Sequence, residues 1–231
     1  MITVHHLENS RSQRVLWLLE ELALPYQVKC YARDPKTLLA PPELRAIHPL
    51  GKSPVVVDGE HVLAESGAII EYLTDRYDSE RVISPPPRPV DAAERLCFQY
   101  WLHYAEGSAM PPLLMALLFG RIRSAKMPFF ARPMARSLTD KVLRTYVGPQ
   151  LRLHLNWMEQ RLGQSEWFAG DRFTAADIQM SFPLQAAAAR GGGLEGHPRL
   201  QAFVQRIEAR GAYRLALQRG GAFELLGTGR D

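Results

Sequence analysis

Four groups of residues in this chain have the types and spacing that chemistry needs. The first is Asn9-Ser10-Arg11-Ser12-Gln13-Arg14, where a hydroxyl stands between a short β-type run and an amphipathic stretch. A serine placed there can donate to a bound thiolate while accepting from the backbone. Ser10-x-x-Gln13 also fits a capping box, a structural role compatible with the first.

The second group is Gly51-Lys52-Ser53-Pro54-Val55-Val56. Pro54 is either an ordinary strand-opening proline or a proline in cis after Ser53. In the second case the backbone of Ser53 is open to an extended peptide ligand that pairs as an added strand. The third group is Glu65-Ser66, ahead of a helical run. It reads as ordinary capping, or as a clamp for an amino-acid head group. In the clamp, the helix N-terminus and Ser66 hydroxyl hold an α-carboxylate while Glu65 pairs with an α-ammonium. The fourth group is Thr174-Ala175-Ala176-Asp177, between Phe173 and Ile178. It reads as a capping box with a hydrophobic staple, so it predicts stability rather than catalysis.

These residues need elements to position them. Ile2–Leu7 begins as a β-rich run, and Val15, Leu18, Leu19 and Leu22 then recur at helical spacing until Pro25. Tyr26–Tyr31 alternates like a strand, and a short helix is expected around Pro42–Ala46. Asp58-Gly59-Glu60 between two β runs predicts a hairpin. Ser66–Tyr77 returns to helical period, with Ile69, Ile70, Leu73 and Tyr77 on one face. The first part therefore reads β-α-β-α-β-β-α, with its first two strands parallel.

Asp78–Val90 carries Pro85-Pro86-Pro87 and Pro89 and reads as a linker. Beyond it the pattern is helical. One long helix is expected over Asp91–Ala109, ended or kinked by Pro111-Pro112. Others are expected from about Ala135 to Leu162, from Thr174, and over Pro198–Leu217, with a loop at Arg190–Gly193. The resulting division is 1–78, a linker at 79–90, and an all-helical domain at 91–231.

The composition narrows the chemistry. With 231 residues and 46% hydrophobic content, the chain is in the globular range, long enough for two small cores. No apolar run approaches the ~20 residues of a membrane span, and no signal peptide is evident, so a cytoplasmic location is expected. Cys30 and Cys97 lie far apart, which argues against a disulfide framework, a redox pair and a thiolate zinc site. The seven histidines show no metal-binding spacing, so no metal is expected. The net charge of +4 is uneven: Arg121, Arg123, Lys126, Arg132, Arg136, Lys141, Arg144 and Arg152 are interrupted only by Asp140. That run reads first as a solvated helical face, then as a field for anionic small molecules. Nucleic-acid binding comes last, because no recognition signature accompanies the charge.

In their order and spacing, SRSQRVLWLLEEL, HPLGKSPVVVDGEHVLAESGAIIEYL and WFAGDRFTAADI resemble the cytosolic glutathione transferase family. The first stretch is most similar to the serine-type bacterial and fungal branch. The resemblance covers nearly the whole chain. It implies a thioredoxin-like domain packed on a helical bundle, a homodimer, and glutathione as co-substrate with no metal or redox cofactor. Carried onto this sequence, Glu65 and Ser66 grip the γ-glutamyl end, Ser53 before Pro54 pairs with the cysteinyl part, and Lys52 neighbours a glutathione carboxylate. Ser10 aligns with the hydroxyl aimed at sulfur, with Ser12 and Asn9 as competitors. A small hydrophobic electrophile is expected between the domains, against Tyr100, His103, Tyr104 and Met110, each also compatible with core packing. Two alternatives remain: a glutathione-dependent disulfide reductase or peroxidase, and a non-enzymatic interaction module.

Overall fold

The computed structural model describes residues 1–87, 89, 92–189 and 193–223. Four strands form one sheet in the order β2-β1-β3-β4. They are β1 (Ile2–Leu7), β2 (Tyr26–Tyr31), β3 (Val55–Asp58) and β4 (His61–Ala64). β1 runs parallel to β2 and antiparallel to β3, and β3–β4 is the expected hairpin, closed by an Asp58–His61 pair. Helices α1 (Ser12–Glu21), α2 (Glu43–Ile47) and α3 (Ser66–Tyr77) complete the expected β-α-β-α-β-β-α order.

Alternation along β1 sorts its side chains to two faces. Ile2 and Val4 join Val56, Val15 and Leu19 in the main core, whereas Leu7 packs with Tyr31 and Leu44 of α2. His6 therefore faces α1, and His5 faces α2, where its Nδ1 lies 2.8 Å from the Tyr31 hydroxyl. α1 is buried on every side from Ser12 to Leu19 because later helices cover what the sheet leaves open. The expected capping box at its start is not formed. α1 begins at Ser12 without a side-chain cap, and both polar atoms of the buried Gln13 side chain lack partners.

Asp78 ends α3 and pins the proline-rich segment. Its carboxylate accepts from Val82 N, Ile83 N and the Ser84 hydroxyl. Among the described residues seven helices follow: α4 (Ala93–Tyr104), α5 (Met110–Ser124), α6 (Arg132–Val142), α7 (Gly148–Arg161), α8 (Ala175–Ala188), α9 (Pro198–Glu208) and α10 (Gly211–Gly220). Two expectations change here. The first long helix does not end at Pro111-Pro112. A π-helical turn, Ala105–Ala109, joins α4 to α5, and the prolines enter the first turn of α5, where a missing N–H costs little. A second π turn, Leu143–Val147, precedes Pro149 in the same way. The stretch from Pro198 is two helices, broken at extended Arg210. Its guanidinium bonds Glu21 of α1 at 2.6 and 2.9 Å and lies 3.7 Å from the Phe173 ring centre, turning α10 back onto α1. Of the loop expected at Arg190–Gly193, residues 190–192 lie outside the described residues.

The capping box at Thr174 is formed. Asp177 accepts from Thr174 N, the Thr174 hydroxyl and Phe168 N. Burial pushes its carboxyl up to about 6, outweighing those donors. Asp177→Ala removes the cap and orphans the buried Phe168 N–H, for a loss of about 3 kcal/mol. The melting temperature should fall by about 6–12 °C in thermal unfolding, with Asp177→Asn recovering part of it.

Candidate functional site

At the C-terminal end of β1, the chain turns through Asn9, at φ +50°, into α1 and sets Ser10 at a cavity wall. This cavity of about 400 Å³ is lined by Ser10, Asn9, Lys52, Ser53, Leu50 and Phe182, among others. Behind Ser10 lies a buried polar chain. Ser10 Oγ is 2.7 Å from Ser12 Oγ, which is 2.8 Å from His6 Nδ1, and His6 Nε2 is 2.9 Å from the Gly220 carbonyl. Of the three competing side chains, Ser10 and Asn9 line the cavity, and Ser12 sits wholly buried behind them.

β1–β3 pairing stops at His5–Val55. Beyond it the Ser53 side chain takes over, donating to His5 O at 2.9 Å and accepting from Leu7 N at 3.1 Å. The Ser53–Pro54 peptide is cis. Lys52, Ser53, Pro54, Glu65 and Ser66 line a second cavity of about 310 Å³, which shares Arg11, Leu50, Lys52 and Ser53 with the first. The two make one groove along the domain junction.

Glu65 holds φ +69°, a left-handed conformation that costs a residue with a Cβ roughly 1–3 kcal/mol. Ser66 is then the first residue of α3 rather than its cap. Its oxygen accepts from Arg14 at 3.2 Å and from Gln179 Nε2 at 3.1 Å. With its lone pairs engaged by two donors, its own proton is available to the groove.

Arg14 and Glu106 escaped the sequence reading. Arg14 is 1% exposed, and its Nη1 reaches Glu106 at 2.7 Å and Gln179 at 2.9 Å. Arg11 bonds the same Glu106 oxygen at 2.9 Å, and both guanidiniums lie over the Phe182 ring. Burial pulls Arg14 down to about 10, with Glu106 opposing that shift. Burial likewise works against the charge on Glu106, yet Arg14 and Arg11 hold its carboxyl below the ordinary range. Glu106 stands on the first π turn, so the register change before the prolines aims a carboxylate of the helical domain into the groove. The only sequence signal was a charged residue, Arg14, amid the apolar period of α1.

Tyr100, His103 and Tyr104 line neither of these cavities. Tyr104 is buried, with its hydroxyl 2.5 Å from His154 Nδ1, and Tyr100 accepts from Trp157. His103 lies exposed, 3.9 Å from Glu71. Their positions on α4 turn them away from the groove, which Phe182, Leu50 and Leu39 line instead. Met110, the fourth side chain expected there, is buried in the main core. Among the described residues, no cluster of three or more His, Cys, Asp or Glu could hold a metal ion.

The N-terminal domain model of glutathione S-transferases matches residues 10–76, and the C-terminal domain model matches residues 116–211. The chain is 35% identical to glutathione S-transferase 3 of Schizosaccharomyces pombe, over 95% of this chain and 88% of that protein. It is likewise 35% identical to glutathione S-transferase 1 of Saccharomyces cerevisiae, over 92% of each. A solved glutathione S-transferase from Actinobacillus pleuropneumoniae superposes with a TM-score of 0.76 at 34% identity, over 97% of this chain and 95% of that one.

Proposed function

The chain belongs to the glutathione S-transferase family, with the thioredoxin-like and helical domains of that fold, and from this premise we propose how its groove handles glutathione. The enzyme is a glutathione transferase with glutathione as co-substrate. In our reading the γ-glutamyl carboxylate meets the α3 N-terminus and the Ser66 proton, while its ammonium lies between Glu65 and Glu106. Ser53 pairs with the cysteinyl backbone, and Lys52 takes the remaining carboxylate. The thiol then comes to Ser10, as in the serine-type bacterial and fungal branch. The observation that carries this is the single groove joining Glu65-Ser66 to Ser10 through Ser53.

The thiolate attacks an electrophilic carbon, and the enzyme supplies orientation and anion stabilisation. We place a small hydrophobic electrophile beside Ser10, against Phe182, Leu39 and Leu50. A second reading draws on Arg11, Arg33, Arg45 and Lys52, which give that cavity four cations and no acid among its lining residues. They suit a carboxylate-bearing disulfide, from which the glutathione thiolate would displace one thiolate to leave a mixed disulfide. Relative rates with a conjugation substrate and with such a disulfide separate the two.

We further propose a homodimer, supported by Leu96, Tyr100, Leu118 and Ile122 exposed on α4 and α5, to be checked by sedimentation. A cytoplasmic location is proposed alongside; no described helix is long and apolar enough to cross a membrane. The domain division at 1–78 and 91–231, with 79–90 between, is supported by the family models falling on either side.

Calorimetry tests the grip. Glu65→Gln keeps size and removes charge, so glutathione affinity should fall about tenfold. No binding heat from the wild-type protein at millimolar glutathione would overturn the assignment.

A further inference from the structure

The hydrogen-bond chain behind Ser10 has a direction. The Gly220 carbonyl can only accept, so His6 Nε2 carries the proton facing it at 2.9 Å. His6 is 3% exposed, and burial holds its imidazole below the usual range, so in the resting protein it is neutral. Nδ1 is then a bare acceptor. The nearest donor is the Ser12 hydroxyl at 2.8 Å, nearer than that hydroxyl is to its other acceptor, the Leu7 carbonyl at 3.4 Å. With its proton given to Nδ1, Ser12 accepts from Ser10 at 2.7 Å. The Ser10 proton therefore points inward, away from the groove, and Ser10 offers a lone pair outward.

Building on the assignment of Ser10 to the thiol, we propose that Ser12 and His6 are positioning residues that take up the proton the glutathione thiol gives away. The S–H proton passes to Ser10 Oγ, Ser10's own proton to Ser12 Oγ, and Ser12's to His6 Nδ1. One S–H and two O–H bonds break, while two O–H and one N–H bond form. A neutral thiol and a neutral imidazole become a thiolate and an imidazolium, with no change of oxidation state. The Ser10–Ser12 and Ser12–His6 donors are then reversed, His6 Nε2 still donates to Gly220, and the Ser10 O–H faces the sulfur anion.

Burial works against that imidazolium, and two neighbours partly offset it. Gly220 is the last residue of α10, whose C-terminal end favours a cation, and Glu8 attracts it. From α1, the uncharged side chain of Gln13 approaches the same end of α10 as His6. A Cβ at Gly220 would stand 3.1 Å from both Gln13 Oε1 and His6 Cε1, so α10 closes the pocket tightly. His5, which also titrates, points to the opposite face of β1.

The test is glutathione binding followed by thiolate absorbance and by calorimetry in buffers of different ionisation enthalpy, on wild type, Ser12→Ala, His6→Gln and Ser10→Ala. Wild type should form thiolate while releasing far less than one proton per thiolate to the buffer. Ser12→Ala and His6→Gln, which act through Ser10, should lower kcat/KM by up to about tenfold and release one proton for each thiolate that still forms. A merely structural role for His6 moves neither proton count. Stoichiometric proton release by the wild type, or variants that match it, overturns the relay. If Ser10→Ala alone abolishes thiolate formation, only the relay fails; if Ser10→Ala keeps it, the assignment of Ser10 fails too. Should His6→Gln not fold, Ser12→Ala, which removes one buried oxygen, decides.

Discussion

Ser10→Ala should slow conjugation about tenfold at pH 7 while leaving glutathione affinity within a factor of about three. A free thiol of pKa about 8.5 is roughly 3% ionised at pH 7, and lowering that value by two units raises the fraction to roughly 75%. The gain corresponds to about 2.7 kcal/mol of preference for the thiolate. Roughly eightfold of it is returned, because a weaker base is a poorer nucleophile. Ionisation alone thus leaves about threefold, and loss of the hydrogen bond orienting sulfur supplies the rest. The sign with pH follows. At pH 6 the wild-type advantage in thiolate population roughly triples, whereas near pH 9 both thiols are ionised and the variant catches up. Rates with a model electrophile from pH 6 to 9 check this, and a pH-independent deficit would assign Ser10 to orientation alone.

Glu106→Ala carries an expected cost to stability as large as that of Asp177→Ala. It strips the counter-charge from Arg14, which is buried and stays protonated at neutral pH. Breaking a buried ion pair from one side costs roughly 3–5 kcal/mol. Glu106 keeps 31% of its side chain exposed at the groove, so water reaches the gap and the lower end, about 3 kcal/mol, is expected. Thermal unfolding should show a fall of about 6–12 °C. Adding Arg14→Met should restore most of that stability, because an apolar side chain replaces the unpaired charge. Glutathione affinity should not return with it, since the groove still lacks the second carboxylate near the ammonium. Recovery of both together would make Glu106 a structural partner only.

What could be read in the sequence is what local physics decides. The 3.6-residue period from Ile69 to Tyr77 located α3 with its observed bounds, and the Asp58-Gly59 turn located the β3–β4 hairpin, whose first strand runs on to Asp58. Thr174 and Asp177 identified their own cap. Elsewhere distant packing decided. Gln13 does not reach back to Ser10, because its side chain is buried beneath α10. The Pro198–Leu217 pattern hides a break at Arg210, which exists to reach Glu21 of α1. At the site, the residues next to one another in sequence, Ser53-Pro54 and Glu65-Ser66, were legible. The Arg14–Glu106 bridge spans 92 residues and depends on a π turn, a register change with no one-residue signature. Tyr100, His103 and Tyr104 fit the period of α4, but period alone does not say whether a face meets a ligand, a neighbouring helix or solvent.

The account rests most directly on the ionisation of bound glutathione. A pH titration of thiolate absorbance in the wild-type complex should place the midpoint about two units below the free thiol, with Ser10→Ala returning it toward about 8.5. Bound glutathione that ionises like the free thiol in the wild-type protein would contradict it.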